Sequence, residues 1–321
     1  ASARTAVIAR LENFVISDGL TISASTPLNK IRIQNAVATA DLSGSRIFYL
    51  ANADTKFATP DSFPDQLLII DARDGSFRLL PIGNTVPLSN LFYVAAKNSL
   101  YTWSIDVKQG AWALLRIDPE TGRIDNSPVV VRNSADVGPY VNYLWSTYDS
   151  VQNRLITLVR HEDEPLKLDQ KLYIVDFKNN FNFTEVFLNS TLYYTFSDLH
   201  FDSANQQQLL TLSPGAAPAL PVTTMKKWSM IRINLEQKTS PSNHPFQAGE
   251  QDFEYLINEP FNQYLGGGVF RGLNQKAQLM YKVVQSKDDF RILSASTSGP
   301  TYNLSPVNND LEKIYNLIYL A

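Results

Sequence analysis

The sequence predicts an all-β fold, a β-propeller of six four-stranded blades forming a single domain over residues 1–321. Three observations lead there. A strand–turn–strand pattern recurs along the chain, most recurrences are followed by a second hairpin, and helical periodicity is nearly absent.

The first hairpin of the unit appears at Ala36 to Leu50, Leu91 to Trp103, Tyr143 to Val159, Phe196 to Leu212 and Gly267 to Val283. The second hairpin follows the first four copies at Gln66 to Pro81, Ala113 to Val131, Lys171 to Leu188 and Ser229 to Phe246. In the fifth copy the third strand is expected at Phe290 to Ala295, with no clear fourth. Turn chemistry supports the reading: Arg73-Asp74-Gly75 and Pro119-Glu120-Thr121-Gly122 supply residues that accept positive φ or preset a tight turn.

Taking Asp41, Lys97, Asp149, Asp202 and Asn274 as equivalent first-turn positions, the first three spacings average roughly 54 residues and the last is about 72. Dividing the length by the shorter figure gives nearly six units. The leftover segments, Thr5 to Ser25 and Lys313 to Ala321, are expected to share one blade between the two termini. Such sharing removes open sheet edges. A β-sandwich is the alternative, and a regular four-strand repeat fits it less well.

Composition narrows the functional classes. The chain is 44% hydrophobic and only 18% charged, with a net charge of -3 and no basic cluster interleaved with aromatics, so a nucleic-acid footprint is absent. No apolar run is long enough to predict a membrane span. Cysteine is absent, which excludes disulfides, thiol nucleophiles and Cys-based zinc sites. Low charge and a start at Ala1-Ser2-Ala3 lead to the expectation of a secreted or extracellular protein, with the periplasm as the alternative. Three glycosylation sequons begin at Asn182, Asn189 and Asn303; the third is followed by Pro306, which disfavours modification.

The segments IIDARDGS (Ile69 to Ser76) and RIDPETGR (Arg116 to Arg123) carry a strand–turn–Asp pattern. That pattern resembles the broad propeller group with lactonase-like, NHL-like and TolB-like repeats. The resemblance covers most of the chain and implies a blade, not an activity, since propellers host hydrolases, lactonases, lyases and binding scaffolds alike.

Candidate chemistry is sparse. Asp198, His200 and Asp202 fall on one face of a strand by alternation, a spacing able to hold a divalent metal, although Asp202 is also the turn residue of the repeat. His161, Glu162, Asp163 and Glu164 form the densest polar patch, in a loop between second and third strands. It is the expected binding contributor, with calcium as the alternative cofactor to none. His244 reads as a loop residue. Gly266-Gly267-Gly268 lacks the Lys-Ser/Thr and helix of a phosphate loop, and no Gly-x-Ser-x-Gly elbow presents a nucleophile. The four tryptophans read as core.

Two functions remain. The favoured one is a non-catalytic binding or structural module, possible as a unit of an extracellular assembly, that takes a protein or glycan partner or self-assembles. The alternative is a propeller hydrolase or lactonase with a divalent ion or carboxylates at the channel mouth. Short connections such as Ser43-Gly44, Asp74-Gly75 and Thr121-Gly122 are expected at one end of the blades. The long ones, Ala51 to Asp65, Arg160 to Gln170, Ser213 to Lys227 and Gln247 to Leu265, are expected at the other. Function is assigned to the elaborated end.

Overall fold

Sequence alternation and turn residues place 22 strands among the described residues of the chain, seen here in a computed structural model. It describes residues 6–12, 15–22, 32–41, 46–52, 64–71, 73–83, 88–106, 111–125, 127–133, 145–160, 170–188, 199–202, 208–214, 226–233, 235, 251–261, 272–274, 278–286, 289–299 and 301–307. Strands β1 (Ala6–Glu12) and β2 (Val15–Ile22) form a two-stranded antiparallel hairpin.

Five four-stranded antiparallel sheets follow, each a meander in chain order. The first holds β3 (Arg32–Asp41), β4 (Arg46–Asn52), β5 (Gln66–Asp71) and β6 (Phe77–Pro81). The second holds β7 (Leu88–Val94), β8 (Ser99–Asp106), β9 (Ala111–Ile117) and β10 (Val130–Asn133). The third holds β11 (Trp145–Asp149), β12 (Arg154–Arg160), β13 (Gln170–Asp176) and β14 (Asn182–Leu188). The fourth holds β15 (His200–Asp202), β16 (Gln208–Pro214), β17 (Lys226–Ile233) and β18 (Gln251–Phe261). The fifth holds β19 (Gly272–Asn274), β20 (Leu279–Ser286), β21 (Asp289–Ser296) and β22 (Tyr302–Leu304).

The fold is thus an all-β propeller. The blade count differs from the sequence expectation: among the described residues there are five four-stranded sheets, not six. β1 and β2 pair only with each other there, and Lys313 to Ala321 lies outside the described residues. Uniform division of the length assumed equal repeats, but the interval from Asp202 to Asn274 is 72 residues against 53 from Asp149 to Asp202.

The chain divides into two compact units, Ala1–Asp136 with Ile318–Ala321, and Val137–Leu317. In the first, the core gathers Phe48, Leu50, Leu67, Ile69, Leu88, Leu91, Leu100 and Ile117. In the second it gathers Ile156, Leu158, Leu172, Ile174, Leu199, Phe201, Leu209 and Ile233. β5 has four consecutive buried residues, Leu67 to Ile70, so both faces of the sheet are covered. That is why the strand reads as an unbroken apolar run and not as an alternation. Trp103 and Trp112 are buried and meet edge to face at 6.3 Å, as core residues.

The third-to-fourth-strand turn is one device used repeatedly. In the first sheet Gly75 donates its N–H to the Asp71 carbonyl at 2.9 Å with φ 72°. In the second, Gly122 donates to the Asp118 carbonyl at 2.8 Å with φ 73°. Each closing residue lies in the left-handed region that glycine enters without steric cost. The third sheet puts Asn180, φ 51°, in the same place after Asp176. Asparagine is the other residue that tolerates it.

The first turn shows where the sequence alignment slipped. The last ladder pairs are Asp41 with Arg46, Val94 with Ser99, Asp149 with Arg154, Asp202 with Gln208 and Asn274 with Leu279. Val94, not Lys97, is therefore the second sheet's equivalent of Asp41. Lys97 belongs to the short 3-10 turn, Ala95–Lys97, that makes up the connection itself.

Candidate functional site

The end of the sheets that carries the first turn is a structural apparatus built from aspartates. Asp149 is fully buried; its Oδ1 accepts the N–H groups of Val151 and Gln152 at 2.9 Å, and its Oδ2 accepts Arg154 Nε at 2.7 Å. One carboxylate thereby shapes the turn and neutralises the arginine that opens the next strand. Asp41 repeats the pairing with Arg46 at 2.9 Å. In the fourth sheet Gln208 stands where the arginine would be. Arg232 of β17 takes its part, 4.0 Å from buried Asp202, and donates to the Thr297 carbonyl of the fifth sheet at 2.5 Å.

The sequence-expected metal set resolves only in part. Asp198 lies outside the described residues. His200 and Asp202 are both buried within β15, whose three residues are all covered. Among the described residues no three His, Asp, Glu or Cys side chains gather as a metal-ligating group. His200 occupies the register position held by Thr39 and Thr147 in the first and third sheets, two residues before the turn aspartate. Those threonines join adjacent sheets: Thr39 Oγ1 accepts the Tyr93 N–H at 3.3 Å, and Thr147 Oγ1 accepts the Phe201 N–H at 3.1 Å.

The seam between the first two sheets carries a connected charge network. Glu120, in the turn after β9, accepts Arg46 at 2.6 Å and Arg78 at 2.7 Å. Arg46 also lies 5.3 Å over the Phe48 ring and 5.8 Å over that of Tyr93, which stack on each other at 5.6 Å. The hydrogen bonds from Arg78 and Arg46 hold the Glu120 carboxyl below its ordinary range. Burial works against the Arg46 charge, but Asp41 and Glu120 outweigh it and raise the guanidinium further. Asp71 is held down to about 2, chiefly by the hydrogen bond from Arg73. Asp118 is lowered chiefly by the Glu120 N–H.

These partners were not anticipated from the sequence. Yet a signal was present, since Asp41 and Arg46, like Asp149 and Arg154, are spaced alike in the first and third copies.

The acidic segment His161, Glu162, Asp163 and Glu164 lies outside the described residues. Its anchors are described: Arg160 ends β12 and pairs with Gln170, which starts β13. The connection therefore leaves the third sheet at the end opposite Asp149, Arg154 and Asp176. Of the sequons, Asn182 and Asn303 are exposed on β14 and β22, and Asn189 lies outside the described residues. His244 and Gly266-Gly267-Gly268 also lie outside them. No helix among the described residues is long and apolar enough to cross a membrane.

No family model matches the chain, and no curated protein matches it. Solved structures do. An oligogalacturonate lyase in complex with manganese aligns with a TM-score of 0.51 at 12% identity, covering 95% of this chain and 73% of that one. The β-propeller domain of the Trilobed protease from Pyrococcus furiosus aligns at 0.41 and 9% identity, covering 85% and 84%. TolB from Acinetobacter baumannii aligns at 0.35 and 12% identity, covering 84% and 66%. At such identities the likeness to the lyase is one of fold alone, and it agrees with the repeated meanders: this is a chain of β-propeller class.

Proposed function

We propose that the chain is a non-catalytic binding module, secreted or surface-exposed, that takes a protein or glycan partner through the connection carrying His161, Glu162, Asp163 and Glu164. One observation carries this reading. The aspartates at the turn end are committed to turns and arginines, as Asp41, Asp71, Asp118, Asp149 and Asp176 each accept local N–H groups or guanidinium. Carboxylates in the 161–169 connection leave the same sheet at its other end. A long connection that the fold does not need for its turns is where binding residues concentrate.

Three carboxylates and an imidazole within four residues suit a cationic protein patch, or a sugar hydroxyl array with calcium as bridge. The low charge supports an exported chain. The test is binding to immobilised glycans and to a panel of extracellular domains, with and without calcium, followed by Glu162→Lys with Glu164→Lys. Loss of the bound partner with an unchanged melting temperature supports the module. A partner held equally by the variant, or no binding across either panel, overturns it.

A further inference from the structure

β14 is an edge strand of seven residues, Asn182 to Leu188, hydrogen-bonded only to β13 among the described residues. Its sequence, NFTEVFL, has a single charged residue and no proline. The other fourth strands are protected differently. β6 has Arg78 and Pro81, β10 is only four residues long, β18 carries Asp252, Glu254, Glu259 and Pro260, and β22 is three residues long with Pro306 beyond it. A long, nearly uncharged edge is a template for pairing with another chain unless something blocks it.

The strand opens on a modification triplet. Asn182 is its first residue, is exposed, and opens the triplet Asn182-Phe183-Thr184. Alternation sets Thr184 on the same strand face as Asn182. Phe183 is turned to the other face, where its ring meets Tyr173 at 5.0 Å. Phe181, just before, packs edge to face on Phe177 at 5.3 Å. The two flanking rings are thus held by the fold, and the amide stands out in solvent at the mouth of the Asp176 turn.

We propose that Asn182 is an N-glycan acceptor and that its glycan caps the β14 edge. In the transfer, the Asn182 side-chain nitrogen forms a bond to the anomeric carbon of a lipid-diphosphate-linked oligosaccharide. The carbon–oxygen bond to the diphosphate breaks, the lipid diphosphate leaves with the electron pair, and the amide loses one proton. The proposal is independent of the 161–169 connection and of what it binds.

The full chain is secreted from a eukaryotic host in an Asn189→Gln, Asn303→Gln background, which leaves Asn182 as the one sequon. The expected result is an intact mass above the 36.0 kDa polypeptide, returned to it by peptide-N-glycosidase, and lost in Thr184→Ala, which keeps the asparagine. Removal of the glycan from the folded protein is expected to raise self-association several-fold by light scattering. A bare polypeptide mass for secreted, folded protein overturns the acceptor. Unchanged association after deglycosylation overturns the cap.

Discussion

Thr147 Oγ1 accepts the Phe201 N–H at 3.1 Å, tying the first strand of one sheet to the first strand of the next. Thr39 and Tyr93 do the same in the other unit, and both pairs are 54 residues apart. The same sheet-to-sheet bond thus recurs at equivalent positions of the repeat. Thr147→Val keeps shape and removes the acceptor, so it should cost about 1–3 kcal/mol by leaving the Phe201 amide without it. Urea unfolding checks this, with Thr147→Ser expected to stay near wild type.

Asp149 and Arg154 form a buried, directly hydrogen-bonded ion pair, with side-chain exposures of 0% and 17%. Asp149→Ala strands the arginine and two turn amides. The expected loss is about 3 kcal/mol, at the lower edge for breaking a buried pair because Arg154 keeps some contact with water. Removing both partners should cost less than the sum of the single losses, measured by a double-mutant cycle.

Gly122 should be far less replaceable than Gly299. A Cβ at Gly122 would lie 2.9 Å from Leu80 Cβ and 3.0 Å from the Pro81 carbonyl, at φ +73°, whereas Gly299 faces open space. Gly122→Ala is expected to destabilise by about 1–3 kcal/mol and Gly299→Ala to change little, read from thermal unfolding of both.

Acid should weaken the fold in a defined direction. Asp71 is depressed from 3.8 to about 2, with Asp118 and Glu120 also lowered. A depressed carboxyl contributes stability that is present above its unfolded pKa and lost as pH falls through the folded one. Stability should therefore hold above the ordinary carboxylate range and decline toward pH about 2. Asp71→Asn should flatten the part of that decline due to Asp71. Salt should reduce the effect, since Arg73 is 71% exposed.

The meander was legible because its strands are covered on both faces and its turns need special residues. Leu67 to Ile70 and the pair Gly75 and Gly122 say as much without coordinates. Register was less legible: the second copy has Val94 where the other copies have Asp or Asn, so the turn position was read three residues later, at Lys97 inside the 3-10 turn Ala95–Lys97. β22, Tyr302–Leu304, was missed because three residues carry too little periodicity to read. Arg232 could not be found from spacing, since it reaches Asp202 from the third strand and not from the next turn.

The crossed comparison of two variants, by thermal unfolding and titration of an identified partner, tests the central claim that the turn end is structural and the 161–169 end binds. Glu162→Lys with Glu164→Lys should abolish binding and leave the melting temperature unchanged. Asp202→Asn, which weakens the buried contact with Arg232, should lower the melting temperature by a few degrees and leave binding intact. Binding lost in Asp202→Asn at full stability, with the loop variant still binding, would contradict the account.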